Sequence, residues 1–383
     1  MHVTHIFTGV NMLEKYAKLL RRARSAKLEA LTAWYSFFGL KEDPFLSPIP
    51  KDEINYFVNR EDVVDTIVYD VGVASRGIPI ILFLVGPQGS GRTSILWYVK
   101  NVLERLREQN PKEFSFKGEL YSSISLFEKP ESDESVQLWV KVCKKRRDYL
   151  FIDDAKPKQI SMITREFTRT TFKVFVISPL DLKDVYSMVS VEPETLFLQP
   201  LSFEATTEML EKRVNRVLLD KGKRTSIFDI FEEEALRVIH KYGMGVPDLI
   251  LRCASWSLKL LRDKYVHEGV LKTGRRIVSG DLATKACKIT GCLQAVCEFE
   301  RMSHAKMNVL ERVLDSGKTP TEISAELGRD RTTISRHLND LRKLGLVEFV
   351  AKGRESVYKA TRPAKVRFEI ERMPNWRWEF ASS

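Results

Sequence analysis

The stretch 80–94, IILFLVGPQGSGRTS, constrains the fold of this chain more than any other segment. An unbroken apolar run, 80–85, leads into a glycine-rich turn of the form Gly-x-x-x-x-Gly-Arg-Thr, and apolar residues at helical spacing follow. A run of this kind closed by glycines is typical of a strand buried on both faces of a parallel sheet. Strand, glycine loop and helix in this order form a phosphate-binding loop, in which backbone N–H groups and the helix N-terminus surround phosphate oxygens. The sequence therefore predicts a nucleotide site in an α/β domain.

The residues expected to contact the nucleotide are those of the loop and of the helical turn after it: Gly86, Gly89, Gly91, Arg92, Thr93 and Ser94. Thr93 is the predicted Mg²⁺ ligand through its hydroxyl. The loop departs from the usual pattern at Arg92, where the pattern has lysine. A lysine presents a compact charge, whereas a guanidinium is wider, planar and forked. We therefore expect Arg92 to neutralise phosphate but to stabilise its transfer less well.

A second acidic pattern lies further along the chain at 148–154, DYLFIDD. A short apolar strand that ends in two carboxylates is the partner usually found with a phosphate-binding loop. Asp153 is predicted to hold the Mg²⁺ shell, and Asp154 occupies the position of the catalytic base, where glutamate is usual. The aspartate side chain is one methylene shorter, so it reaches an attacking water less well.

Length and charge set the broad class of protein. A chain of 383 residues exceeds one comfortable hydrophobic core, so we expect two or three domains. Lys and Arg number 62 against 51 Asp and Glu, and this net charge of +11 favours an anionic partner such as nucleic acid. No apolar run approaches the ~20 residues of a membrane span, and the first residues are too polar for a signal peptide. We therefore expect a cytoplasmic protein without a membrane partner.

The five cysteines do not suggest a disulfide scaffold in a chain of this size. Three of them, Cys287, Cys292 and Cys297, are spaced by five within a predicted helix at 279–299. On one continuous helix such residues do not share a face, and zinc sites use shorter pairs. We predict that they are small buried apolar residues rather than metal ligands.

Two segments before the loop carry a family resemblance. The run 38–45, FGLKEDPF, resembles the ExeA-type branch of the AAA+ ATPases, and 57–67, FVNREDVVDTI, resembles the helix that precedes the loop in archaeal ATPases and origin-recognition initiators. The resemblance implies ATP or ADP with Mg²⁺ as cofactors and base contacts from Phe57, Val58 and Arg60. It also implies that Ser178, at the end of an apolar strand at 173–178, lies near the γ-phosphate. A serine that simply ends a strand before Pro179 explains the same position equally well.

The resemblance continues into a helical lid. The run 198–210, LQPLSFEATTEML, is similar to the junction before the AAA+ lid, and helices are predicted at 203–219, 232–242, 247–261 and 279–299. In the family a nucleotide-contacting arginine follows the proline of a motif similar to 245–248, GVPD, but here that residue is Asp248. Arg252, one turn on, is the candidate replacement. The stretch 179–212, from which AAA+ assemblies usually supply an arginine finger, lacks arginine. Arg165 and Arg169, which lie earlier, are candidate substitutes, and exposed helix positions explain them as well.

The pattern changes again from residue 303. Thr319 and Pro320 begin one helix, and Asp330 caps the next, whose buried stripe is Ile334, Leu338 and Leu341. A predicted hairpin at 346–360 follows, and 319–361 resembles a winged helix-turn-helix along its whole length. Recognition helices of this kind enter the major groove, so the predicted DNA contacts are Arg331, Thr332, Thr333, Arg336, Asn339 and Lys343, with Lys352 and Arg354 at the wing. A winged helix used for protein contacts is the alternative.

The sequence thus predicts an α/β fold: a P-loop AAA+ parallel sheet core with a helical lid, plus a C-terminal winged helix-turn-helix domain. The expected divisions are a basic N-terminal helix at 1–36, the core at 37–201, the lid at 202–299 and the winged helix at 303–383. The leading hypothesis is a nucleotide-switched protein of the origin-recognition, replication-initiator type. It would bind double-stranded DNA, associate with the nucleoid and hydrolyse ATP slowly or not at all.

Two alternatives stay open. One is a winged-helix transcriptional regulator with a degenerate AAA+ core. The other is a mobile-element or motor-associated ATPase that acts through protein partners. Other replication or transcription proteins are candidate partners in these hypotheses, and the sequence does not predict an oligomeric state.

Overall fold

The computed structural model describes residues 38–45, 58–74, 80–115, 117–122, 148–155, 160, 174–179, 194–220, 224–268, 277–314, 316–352 and 355–373. Several sequence predictions fall outside these residues, namely the basic N-terminal helix, Phe57, Arg165, Arg169 and Arg354. Within the described part of the chain, no helix is long and apolar enough to cross a membrane.

The core of the chain is a parallel sheet flanked by helices. Its elements are α1 (Glu61–Ala74), β1 (Ile80–Val85), α2 (Arg92–Gln109), β2 (Gly118–Ser122), β3 (Tyr149–Ala155), β4 (Val174–Pro179) and β5 (Glu194–Phe197). The five strands pair in parallel in the order β2-β3-β4-β1-β5. The carboxyl ends of all five strands therefore lie at one edge, which is where ligands bind in open α/β sheets.

Burial explains why β1 is central. Leu82 and Leu84 are fully buried in one cluster with Ile67 of α1 and Leu96 of α2. Neighbouring Phe83 is also fully buried, so the strand is covered on both faces. A strand of this kind reads as a continuous apolar run. The predicted core strand and the helix after the loop are both confirmed.

The lid consists of α3 (Phe203–Arg216), α4 (Glu233–Tyr242), α5 (Pro247–Glu268), α6 (Gly280–Ile289) and α7 (Cys292–Cys297). Ser202 caps α3, because its side chain accepts a hydrogen bond from the Ala205 N–H. The prediction of one continuous helix at 279–299 is wrong. Gly291 adopts a left-handed conformation with φ of 80°, which ends α6 and redirects the chain into α7.

This break also changes the arrangement of the cysteines. Because the helix is interrupted between Cys287 and Cys292, both thiols approach Cys253 of α5, and the prediction that they diverge on one helix is wrong. Cys253, Cys287 and Cys292 are fully buried, so the prediction of buried side chains is confirmed for Cys287 and Cys292, whereas Cys297 is only partly buried. Hydrogen bonding to Cys287 together with burial raises the pKa of the Cys253 thiol. Within the described residues, no group of His, Cys, Asp and Glu is arranged to hold a metal ion.

The C-terminal part contains α8 (His304–Arg312), α9 (Pro320–Leu327), α10 (Arg331–Lys343), β6 (Val347–Lys352), β7 (Glu355–Ala360) and α11 (Arg362–Glu371). Thr319 and Glu322 form a reciprocal capping box at the start of α9, and Asp330 caps α10. β6 and β7 pair in antiparallel as a hairpin. The predicted order of helix, helix, turn, helix and hairpin is confirmed, whereas α11 was not predicted.

α11 belongs to two hydrophobic cores at once. Its residues Val366 and Ile370 are buried in the cluster that fills the lid. Ala364 and Phe368, on another side of the same helix, are buried in the cluster that fills the winged helix. The helix therefore joins the lid and the C-terminal domain through continuous apolar packing.

Candidate nucleotide site and helix-turn-helix surface

The loop after β1 has the backbone shape of a phosphate cradle. Gly89 and Gly91 have φ of 89° and 101°, a region that residues with a side chain rarely adopt. A Cβ at Gly86 would lie 2.5 Å from Ser90 Oγ, so this position also requires the absence of a side chain. Gly91 precedes the first residue of α2, and the N–H groups there point towards the loop. The loop therefore offers backbone donors to an anion.

Thr93 and Asp153 meet at the edge of the sheet. Thr93 Oγ1 donates a hydrogen bond of 2.6 Å to Asp153 Oδ2, which links the start of α2 to the end of β3. Asp153 is buried, and its Oδ1 has no hydrogen-bond partner among the described residues. Burial raises the pKa of the Asp153 carboxyl, as does Asp154, while the bond from Thr93 opposes the shift. The structure thus brings together the two residues predicted to hold Mg²⁺.

The unpartnered atoms fit the cofactors that the loop implies. Asp153 Oδ1 and Ser90 Oγ are both buried without a partner in the described part of the chain, and such groups are costly unless a ligand or water satisfies them. Mg²⁺ prefers oxygen ligands and is commonly held by one or two protein oxygens plus phosphates. Thr93 and Asp153 would hold the ion, which would neutralise phosphate charge. The donor set is therefore compatible with a Mg²⁺–nucleotide.

Arg92 faces the second carboxylate of the pair. Its Nη2 lies 3.5 Å from Asp154 Oδ1, and the Arg92 side chain is 7% exposed while that of Asp154 is 54% exposed. Asp154 has φ of 54°, an uncommon left-handed conformation for a non-glycine residue. The loop cation and the predicted catalytic base therefore interact with each other.

Ser178 lies at the same edge of the sheet. β4 is placed between β1 and β3, since Ile177 pairs with Phe83 on one side and with Ile152 on the other. Ser178 follows Ile177 directly, near the end of β4. Its backbone position is therefore at the same edge of the sheet as the phosphate-binding loop and the acidic pair, and its place near a γ-phosphate stays a prediction.

Arg60 lies just before α1 in a buried position, 6% exposed. Burial lowers the pKa of its guanidinium to about 10, against the opposing effect of Asp62 and Glu61. Its Nη1 donates a 3.4 Å hydrogen bond to the Asn59 backbone oxygen, while Nη2 has no partner within the described residues. Val58, the other described candidate for base contact, is buried in the lid core.

The lid touches the loop through Asp248. The Asp248 N–H donates to the Gly89 carbonyl oxygen at 3.2 Å, and a Cβ at Gly89 would lie 2.6 Å from Asp248 Cβ. Arg252, predicted to reach the nucleotide, lies 2.8 Å from Asp248 Oδ2 through its Nε. Arg362 of α11 lies 2.9 Å from the same oxygen. Asp248 thus gathers two arginines next to the loop.

Two residues of this site were not found from the sequence: Arg362 and Glu369. Glu369 Oε2 accepts a hydrogen bond of 2.6 Å from the Gln88 N–H in the loop. Both residues lie on α11, far from the loop in sequence, so no local motif marks them. The only available signal was their charge on a helix that follows the hairpin.

The second candidate surface is α10. Ile334, Leu338 and Leu341 are buried in the core of the winged helix, as predicted. The opposite side carries the predicted DNA contacts, of which Arg331, Thr332, Arg336, Asn339 and Lys343 are exposed and Thr333 is half-buried. Lys352 ends β6 at the tip of the hairpin, where its backbone lies opposite that of Glu355 in the antiparallel register. The structure therefore gathers six of the eight predicted residues on one helix.

The parallel sheet, the phosphate-binding loop and the helices after β5 define a P-loop α/β core with a helical lid, joined to a C-terminal winged helix-turn-helix domain. The fold predicted from the sequence is thereby confirmed. Residues 305–348 match the family model described as bacterial regulatory protein, arsR family.

Two curated proteins are similar to part of the chain. The uncharacterised HTH-type transcriptional regulator MJ0774 of Methanocaldococcus jannaschii is 20% identical over 172 residues, which is 44% of this chain and 39% of that protein. The protein Csa3 of Thermoproteus tenax, provisionally named as CRISPR locus-related and DNA-binding, is 32% identical over 126 residues, 33% of this chain and 57% of that protein. The chain thus spans less than two thirds of the length of either relative.

Among solved structures, the chain is similar to the ORC1 protein of Aeropyrum pernix, which was solved in complex with DNA. The TM-score is 0.46 at 15% sequence identity, and the match covers 85% of this chain and 95% of that one.

Proposed function

We propose that this protein binds ATP or ADP with Mg²⁺ and uses the nucleotide to control binding of double-stranded DNA by its winged helix, as a replication initiator of the origin-recognition type. The observation that carries the nucleotide part is the 2.6 Å bond between Thr93 and Asp153 at the end of the phosphate-binding loop. Asp153 Oδ1, which has no hydrogen-bond partner within the described ranges, supports a cation there. The predicted divisions into core, lid and winged helix are part of the proposal.

Hydrolysis is proposed to be slow. A catalytic base must accept a proton from the attacking water, so its carboxylate has to be available to that water. Asp154 is shorter than the usual glutamate, and one of its carboxylate oxygens lies 3.5 Å from the Arg92 guanidinium. The stretch 179–212 supplies no arginine that could act as a finger. These features together favour nucleotide binding over turnover.

DNA binding is supported by the exposed polar face of α10. Arginine reads guanine edges, asparagine reads adenine, and lysine mostly contacts phosphate. Arg336 and Asn339 lie one turn apart on this exposed face, with Arg331 and Thr332 nearer the helix N-terminus. The interval 303–383 holds 16 Lys or Arg against 11 Asp or Glu, so the domain is basic. A nucleoid-associated location in the cytoplasm follows from this proposal.

A transcriptional regulator is the second candidate function. It is favoured by the match of residues 305–348 to the arsR family of regulatory proteins. In this case the AAA+ core serves as a ligand-sensing or oligomerisation platform, and DNA sites lie at promoters. Nucleotide would then have little effect on DNA affinity.

One experiment separates the two functions. Purified protein selects genomic DNA fragments with and without Mg²⁺–ATP, and the bound fragments are sequenced. Enrichment of a few intergenic clusters near replication genes, sharpened by ATP, is the result expected of an initiator. Enrichment of promoter sites that does not depend on nucleotide would show that the protein is a transcriptional regulator. Absence of any enrichment would overturn DNA recognition by α10.

A further inference from the structure

The phosphate-binding loop already holds an anionic side chain from the winged-helix domain. Glu369 of α11 accepts a 2.6 Å hydrogen bond from the Gln88 N–H, and the Glu369 side chain is only 18% exposed. Hydrogen bonds from backbone N–H groups to a carboxylate are among the stronger ones in proteins. The N–H groups of this loop are also the donors that a nucleotide phosphate needs. The Glu369 carboxylate and a nucleotide phosphate therefore compete for the backbone N–H groups of this loop.

The hydrogen bond from Gln88 to Glu369 is one of three polar contacts made by charged residues on a single face of α11. Arg362, Lys365 and Glu369 are spaced by three and four residues, which places them on one side of the helix. Arg362 is paired with Asp248 at 2.9 Å, and Lys365 lies 3.9 Å from Glu369. Asp248 is itself bonded to the loop through Gly89. The helix is thus attached to the loop both directly and through the lid.

The other sides of α11 prevent the helix from moving alone. Val366 and Ile370 are buried in the lid core, and Ala364 and Phe368 are buried in the core of the winged helix. Releasing either pair would expose apolar side chains to water. A change at Glu369 is therefore transmitted to the lid and the winged helix together.

We propose that Glu369 is an intramolecular competitor of the nucleotide: its carboxylate occupies the phosphate-binding loop, and an incoming nucleotide must displace it. Displacement breaks the direct attachment of α11 to the loop and moves lid and winged helix as one body against the core. The proposal rests on the nucleotide site proposed above. It makes docking of the C-terminal domain on the loop and binding of phosphate mutually exclusive.

Nucleotide affinity tests the competition. The dissociation constants of Mg²⁺–ATP and Mg²⁺–ADP are measured by calorimetry for wild type, Glu369→Gln and Glu369→Ala. Glu348→Gln removes an exposed carboxylate of the same domain and serves as the control. Loss of a competing charged hydrogen bond predicts affinity about tenfold tighter or more in Glu369→Ala, an intermediate gain in Glu369→Gln, and no change in the control.

The outcomes separate this inference from the function on which it rests. Equal nucleotide affinity in wild type and both Glu369 variants would overturn the competition and leave the nucleotide site intact. Failure of all four proteins to bind nucleotide would overturn the nucleotide site itself. Melting temperatures measured in parallel show whether the variants fold. If Glu369→Ala does not fold, Glu369→Gln still tests the competition, because it keeps the size of the side chain.

A distance measurement tests the motion. Bio-orthogonal spin labels are placed at Tyr69 of the core and Glu348 of the wing, both exposed, and a control pair joins exposed Phe228 of the lid to Glu348. Nucleotide is expected to shift the first distance and to leave the second unchanged. In Glu369→Ala the first distance is expected to be shifted without nucleotide. An unchanged first distance at saturating nucleotide would overturn the coupled motion.

Discussion

Arg92 and Asp154 form an ion pair across the candidate site, with Nη2 and Oδ1 at 3.5 Å. The pair joins the two positions at which the sequence departs from the usual pattern of phosphate-binding loop and acidic strand end. One departure supplies a forked cation where a compact one is usual, and the other supplies a shorter carboxylate. Arg92 and Asp154 therefore contact each other, in addition to any contact that either residue makes with a nucleotide.

Arg92→Lys is expected to raise the rate of ATP hydrolysis several-fold. The lysine ammonium is a compact point charge suited to the terminal phosphates, and Asp154 would lose its contact with the guanidinium, which frees that carboxylate oxygen for an attacking water. Steady-state phosphate release at saturating ATP measures the effect. Arg107→Lys, at the other end of α2, is the matched control. A rate equal to or below that of wild type would contradict the role assigned to the ion pair.

Thr93→Ala is expected to weaken Mg²⁺-dependent nucleotide affinity by about tenfold or more, because it removes both the predicted Mg²⁺ ligand and the hydrogen bond to Asp153. Thr93→Ser keeps the hydroxyl and should retain most of the affinity. Calorimetric titration with ATP is performed with Mg²⁺ and again with EDTA. If Thr93→Ala and wild type bind equally in Mg²⁺, the assignment of the site is wrong.

Arg336→Ala and Lys343→Ala should affect DNA binding in different ways. An arginine that reads base edges gives discrimination worth about 1–3 kcal/mol, so Arg336→Ala should reduce affinity for the preferred site more than for unrelated DNA. Lys343→Ala should weaken both by similar factors and lower the salt slope by about one. Fluorescence anisotropy at several salt concentrations measures both effects. Identical salt and sequence dependence in the two variants would contradict these roles.

Asp70 should make stability depend on pH between about 4 and 6. Burial raises the pKa of this carboxyl to about 6, and Glu194 adds to the shift. A raised pKa in the folded state means that the stability associated with Asp70 is fully present below its usual pKa near 4 and is lost as pH rises through 6. Asp70→Asn should therefore equal wild type at pH 4 and exceed it by about 1–3 kcal/mol at pH 7.5.

Denaturant unfolding at both pH values measures the effect of Asp70→Asn. Asp65→Asn replaces an exposed carboxylate of the same helix and should show no such pH dependence. The same free-energy difference at pH 4 and pH 7.5 for Asp70→Asn would show that burial does not control its ionisation.

Most of the fold could be predicted from local sequence patterns. The strand before the loop is an apolar run because it is buried on both faces, and the stripe of α10 repeats at helical spacing because one face of that helix covers a core. Thr93 and Asp153 were assigned to one site because each belongs to a motif whose strand ends at the same edge of the sheet. These features depend on neighbours in sequence and on a topology that parallel strands impose.

The missed features depend on contacts that sequence periodicity does not encode. α11 has apolar residues on more than one side, since Val366 and Phe368 enter different cores, so it shows no single stripe. Glu369 bonds to Gln88, and the two are 281 positions apart in the sequence. The break between α6 and α7 had a local signal in Gly291, but cysteine spacing was interpreted as if the helix were continuous.

The double role of α11 has a consequence for the independence of the C-terminal domain. The sequence changes character near residue 300, and a fragment that starts there would contain every element of the winged helix-turn-helix, including the proposed DNA contacts. Such a fragment would also carry Val366 and Ile370 without the lid that covers them. The lid fragment would in turn expose the surface that these residues fill. Fragments that are produced separately and divided near residue 300 should therefore bind each other in trans. The lid and the C-terminal domain thus form one folding unit rather than two independent domains joined by a linker.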